Sequence, residues 1–249
     1  MAPTTSNTRL NSALARAAVY EALAHALAYP DAVRVQAVNS CGAALATTDL
    51  PLPLLRFAVL AREAVSGSLE PVHVALNTLS SSPDCPAYES AYVSGDPQQQ
   101  TQRMADIAGF YRAFGVDATE GGYRPDELSV ELEFMAFLCQ KEAYAEGHLG
   151  PPRARQARKA QRIFLEHHLG RWAGALGERL AASAPPGHFY HATGQALAWW
   201  LEEELALARV QPQPLAATPA LPQWPEPVSH GPEFAGAASF IPVEAMSVR

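Results

Sequence analysis

Four carboxylates crowd one short stretch of the chain: Asp126, Glu127, Glu131 and Glu133. Carboxylates at such spacing can trade a proton, hold a cation or receive a guanidinium. The surrounding signatures narrow the choice. The sequence has no GxxxxGK[ST], no GxGxxG, no GxSxG and no HExxH. Glu70-x-x-His73 resembles half of a di-iron carboxylate pattern, but Pro71 sits inside it and no second copy exists. His188 and His191 share a helical spacing, while the neighbours His167 and His168 cannot both reach one ion from a regular helix. Cys41, Cys85 and Cys139 are dispersed and odd in number, so they build no disulfide framework. No residue pattern argues positively for an enzyme. A metal-dependent all-α enzyme using Glu131 as general acid or base is the rival class, and the lack of a paired ExxH weighs against it.

A wheel at about 100° per residue explains why Glu131 needs a reason. It places Glu131 among Leu128, Leu132, Met135 and Leu138, inside a wide apolar sector, and Glu133 beside Gln140 on the polar side. A carboxylate on a buried face is costly unless it is paired or hydrogen-bonded. Either Arg112 or Arg124 pairs with Glu131, or the carboxylate faces a groove that awaits a cationic partner. Asp126 and Glu127 fall in the predicted first helical turn, where negative charge suits the dipole. Between Asp106 and Glu146 nine acids face three bases, and Tyr88, Tyr92, Tyr111 and Tyr123 lie in or next to that stretch. An acidic, tyrosine-bearing surface suits an arginine-containing peptide, through carboxylate pairing and ring stacking. The basic run Arg153, Arg155, Arg158, Lys159 and Arg162 reads as a solvated helix face.

These residues need a scaffold. The chain has 249 residues, 48% of them apolar, which suffices for a sizeable core. Its net charge of −7 gives no basic balance for nucleic acid. No run reaches the roughly 18 apolar residues of a membrane span, and the N-terminus has no apolar signal region. These features predict a soluble, cytoplasmic protein. Helical periodicity predicts helices over residues 10–28, with Leu14, Ala18, Leu23 and Leu27 inward, then one capped by Asp31, then 53–65 and 72–79. Residues 80–86 read as a turn. Further helices follow over 97–114, 125–147, 151–183 with an irregularity, and 189–209. No strand-like alternation of useful length is present. The expected fold is all-α: a helical domain over residues 1–210, then a Pro-rich tail over 211–249, extended or disordered, with eight prolines.

Four blocks of residues together resemble a known family. They are Cys85-Pro86-Ala87-Tyr88-Glu89-Ser90-Ala91-Tyr92, the segment from Met104 to Gly115 with Phe110-Tyr111-Arg112-Ala113-Phe114, Arg124-Pro125-Asp126-Glu127, and Glu131-Leu132-Glu133-Phe134-Met135. In order and spacing they look like the TorD/DmsD family of redox-enzyme maturation chaperones. The residues around Tyr20 and Tyr29-Pro30, and His168-Leu169 with Trp172, extend the likeness more weakly. One departure stands out: the family carries His after the Asp of its R-P-D-H block, and this chain carries Glu127.

The resemblance implies a non-catalytic, cytoplasmic chaperone with an all-helical fold. Such proteins bind the apo catalytic subunit of a molybdenum or tungsten oxidoreductase of the DMSO-reductase type. Many also bind its twin-arginine leader, assist cofactor insertion and delay export. A NarJ-like chaperone serving a non-exported enzyme is the alternative within the class. Carried onto this chain, the client-binding residues would be Tyr88, Glu89, Tyr92, Tyr111, Phe114, Arg124, Pro125, Asp126, Glu127, Glu131 and Glu133. The resemblance implies no permanently bound cofactor. It leaves open a transient contact with the molybdopterin guanine dinucleotide cofactor or GTP.

Overall fold

The protein is described by a computed structural model, which covers residues 12–77, 85–93, 96–117, 124–216 and 219. Among the described residues all regular structure is helical, and the sheet-like element is an isolated bridge. Helices α1 (Ala13–Leu27), α2 (Ala32–Leu45), α3 (Leu52–Ala61) and α4 (Ser66–Asn77) come first. A 3-10 turn (Glu89–Tyr92) leads into α5 (Pro97–Ala113) and α6 (Leu128–His148). Then come α7 (Pro151–His167), a second 3-10 turn (Leu169–Arg171), α8 (Ala173–Ser183) and α9 (Phe189–Ala208).

Local chemistry sets the helix starts. Ser12 accepts from the Ala15 N–H at 3.3 Å, Asp31 from Arg34 at 2.8 Å and Asp96 from Gln98 at 2.9 Å. Each supplies a partner that the first turn of a helix lacks. Helix α6 is the centre. It packs between α1 and α7, burying Leu128, Leu132, Phe134, Met135, Leu138 and Cys139. Helix α9 packs on α8 and α3. The α8–α9 crossing needs glycine on both sides: a Cβ on Gly194 would stand 2.5 Å from the Ala181 nitrogen and the Gly177 carbonyl oxygen.

Three expectations are corrected. The inward stripe of the first helix is wrong at Leu14, which is 66% exposed, and at Ala18, also exposed. Arg16, Val19 and Tyr20 are buried instead. In an alanine-rich helix nearly every position passes as apolar, so large and paired side chains decide the inward face. The fourth helix starts at Ser66, ahead of the expected 72, and carries Pro71 inside it. The helix expected from Pro125 starts at Leu128, because residues 125–127 turn and pair with the 85–89 segment instead. Most of the expected 80–86 turn, Tyr123 and most of the tail lie outside the described residues.

A buried polar network ties four helices together. Arg16 of α1 meets Glu204 of α9 through two hydrogen bonds of 2.7 and 2.6 Å, and Glu142 of α6 at 3.4 Å. Tyr20 donates to Glu204 at 2.9 Å, and Gln161 of α7 to Glu142 at 2.8 Å. Burial opposes the Arg16 charge, but its bonds to Glu204 outweigh that and raise its pKa further.

Candidate functional site

The 85–92 segment and the 124–128 turn form one unit. Tyr88 and Glu127 make an antiparallel bridge, with Glu89 N–H on the Asp126 carbonyl and Leu128 N–H on the Ala87 carbonyl, both at 2.9 Å. The Asp126 carboxylate locks the unit from within. Arg124 donates to its two oxygens at 3.0 Å each, and Ser90 N–H donates to Oδ2 at 3.2 Å. Arg124 also reaches the Ser90 hydroxyl at 3.0 Å and covers the Tyr88 ring at 4.5 Å from its centre. Such a two-pronged arginine–carboxylate contact fixes geometry as well as charge. Asp126 is therefore fully buried and lies before the helix, not in its first turn.

Glu89 and Glu131 sit beneath this unit, both with no exposure. Glu89 pairs with Arg103 of α5, and its Oε2 lies 3.3 Å from His168 Nδ1. Arg103 also donates to the His167 carbonyl. Glu131 pairs with neither Arg112 nor Arg124. Its Oε2 accepts from the Trp172 indole at 3.5 Å, and its Oε1 has no hydrogen-bond partner. Burial, then the carboxylates of Glu89 and Asp126, push the Glu131 carboxyl well above its ordinary range. Its surroundings therefore favour the protonated form over the charged one, a third answer beside the pairing and groove alternatives.

The tyrosines brace the same unit. Tyr111 donates to the Pro125 carbonyl at 2.8 Å and packs 4.6 Å from the Phe134 ring. Tyr92 donates to the Pro86 carbonyl at 2.8 Å, lies 5.4 Å from Trp172, and receives Arg179 over its ring at 5.1 Å. Burial raises the pKa of both phenols.

The expected site residues thus separate into two sets. Glu89, Tyr92, Tyr111, Asp126 and Glu131 are buried. Tyr88, Phe114, Pro125, Glu127 and Glu133 are half-buried, and Arg124 is exposed. Glu127 accepts from the Ser129 hydroxyl at 2.8 Å, and burial raises its carboxyl pKa. Glu133 pairs with Arg34 of α2 at 2.5 Å, with its side chain 42% exposed, and lies close enough to Glu127 to raise the Glu127 pKa. The acidic surface anticipated from sequence is thinner than its composition, since three of its acids face inward. Arg103, Ser90 and Arg179 complete the unit without having been singled out, and spacing along the chain carries no signal for them.

Glu70 and His73 serve separate ends: Glu70 accepts from the Tyr29 hydroxyl, and His73 lies 3.1 Å from the Tyr190 hydroxyl. Burial lowers the His73 pKa to about 4. No group of three or more His, Cys, Asp or Glu among the described residues could hold a metal ion. No helix among them is long and apolar enough to cross a membrane.

Comparison with known proteins places this architecture. The perchlorate reductase assembly chaperone protein of Dechloromonas aromatica (strain RCB) is 33% identical over 183 residues, covering 66% of this chain and 77% of the relative. The selenate reductase assembly chaperone protein of Thauera selenatis is 35% identical over 83 residues, covering 32% of this chain and 41% of the relative. The family described as the nitrate reductase delta subunit matches residues 45–178, a span that holds the paired 85–92 and 124–128 segments. The chain belongs to the nitrate reductase delta subunit family.

Proposed function

We propose that this chain is an assembly chaperone for the catalytic subunit of a molybdenum oxidoreductase of the DMSO-reductase type. It acts in the cytoplasm by binding and release, with no bond chemistry of its own. It holds the apo subunit and its twin-arginine leader until the cofactor is in place. The observation that carries the reading is the family membership, with two relatives named as reductase assembly chaperones. The exposed side of the locked unit suits the task. Tyr88, Phe114, Arg124, Pro125, Glu127 and Glu133 are reachable by a client, while Glu89, Tyr92, Tyr111, Asp126 and Glu131 hold them in place. Glu127 and Glu133 offer carboxylates to leader arginines, and Tyr88 offers a ring. Transient contact with the pterin cofactor or with GTP belongs to the same reading, and we assign no residue to it.

The test is calorimetric titration of the full chain with a synthetic leader from such a catalytic subunit. Micromolar binding that weakens with salt is expected. The second reading is a NarJ-like chaperone whose client has no exported leader. Under it the leader fails to bind, while the cofactor-free subunit still does.

A further inference from the structure

Past α9 the chain turns back onto the protein. Val210 is buried, and residues 211–216, neither helical nor in a sheet, cross the two 3-10 turns. Arg171 Nε donates to the Gln213 carbonyl at 2.8 Å. Leu215 N–H donates to the Arg171 carbonyl at 3.0 Å, and Ala216 N–H to the Tyr92 carbonyl at 3.2 Å. The Leu215 side chain packs against the edge of the core. Both acceptors are the last residues of their 3-10 turns, where a helix leaves carbonyls without partners of its own.

These three bonds all use the strap's backbone, so the ledge recognises a backbone arrangement and not particular polar side chains. It requires two successive N–H groups, a carbonyl two residues before the first of them, and an apolar side chain between. Pro212 and Pro214 narrow the strap's freedom but contribute no donor. Many non-helical peptides meet that requirement. The ledge also flanks the locked unit: Tyr92 ends the turn that holds Glu89, and its ring lies against Trp172.

We propose that this ledge is a docking site for a short, non-helical, apolar stretch of the client polypeptide, and that residues 213–216 fill it in the free protein. The proposal rests on the client-binding reading given above. The client displaces the strap and takes over the Tyr92 and Arg171 carbonyls.

The test uses the full chain and two variants, Leu215→Pro and Ala216→Pro, each lacking one strap donor, with melting curves to establish that both fold. The probe is a fluorescent synthetic peptide copying residues 211–220. Its binding to the variants should be at least about fivefold tighter than to the wild type, because the tethered strap lowers the fraction of open ledge. A synthetic twin-arginine leader of a molybdenum oxidoreductase catalytic subunit should then displace the probe. Equal probe affinity for all three proteins, or no probe binding to any, overturns the proposal. A leader that binds by calorimetry without displacing the probe leaves the chaperone reading standing and overturns the ledge as its site. A leader that binds none of the three proteins overturns the ledge as a leader site and counts against leader binding, and the cofactor-free subunit then tests the chaperone reading.

Discussion

Glu131 is a carboxyl whose burial and neighbouring carboxylates favour its neutral form. Its folded pKa lies above the ordinary value of 4.5, so the folded state holds the proton more tightly than the unfolded one. The stability this contributes is whole below about pH 4.5 and is lost as pH rises through the folded pKa. Glu131→Gln keeps the shape without the titration. Its melting temperature relative to wild type should climb as pH rises above about 4.5, and parallel profiles would contradict a raised Glu131 pKa. Glu131→Ala should cost about 2–3 kcal/mol, because it opens a cavity and orphans the Trp172 N–H. Asp126→Ala removes the partner of Arg124 and of the Ser90 N–H. A loss of about 1–3 kcal/mol is expected by chemical denaturation, more than a surface change gives. The wheel made the burial of Glu131 legible from sequence, since Leu128, Leu132, Met135 and Leu138 share its sector. It could not give the partner, because Trp172 is 41 residues away along the chain. Asp126 misled for the opposite reason: its neighbours look like a helix start, and only the bridge to Tyr88 shows that the helix begins later.

The elements themselves were largely readable. Asp31, Pro97 and Pro151 announce helix starts by chemistry that needs no tertiary context, and each proves to mark one. What sequence could not supply was the contact between elements. Gly177 and Gly194 are ordinary helical glycines on paper, yet they allow α8 and α9 to touch through their backbones. Gly194→Ala should lower stability by about 1–3 kcal/mol, an overpacking cost. Gly147→Ala, in the last turn of α6 with nothing within 4 Å of the added carbon, should raise it by about 0.5–1 kcal/mol. Thermal melts of the two variants should therefore move in opposite directions. Shifts of the same sign would mean that the α8–α9 approach is looser than 2.5 Å implies.

Across the whole molecule, the buried Arg16 network and the locked motif unit divide the labour. The network joins α1, α6, α7 and α9 and serves stability: Arg16→Met should cost about 3–5 kcal/mol by leaving Glu204 buried without its cation, while Glu142 keeps Arg158. On the reading proposed above, the motif unit offers a surface to a partner, and its half-buried carboxylates Glu127 and Glu133 carry little of the fold. The most direct measurement of that claim is the affinity of the full chain for a cofactor-free catalytic subunit of a molybdenum oxidoreductase, beside the double variant Glu127→Gln, Glu133→Gln. The account predicts tight binding by the wild type and about tenfold weaker binding by the variant, some 1.4 kcal/mol, with melting temperatures within a few degrees of each other. Equal affinity of the two proteins for the subunit, or binding by neither, would contradict it.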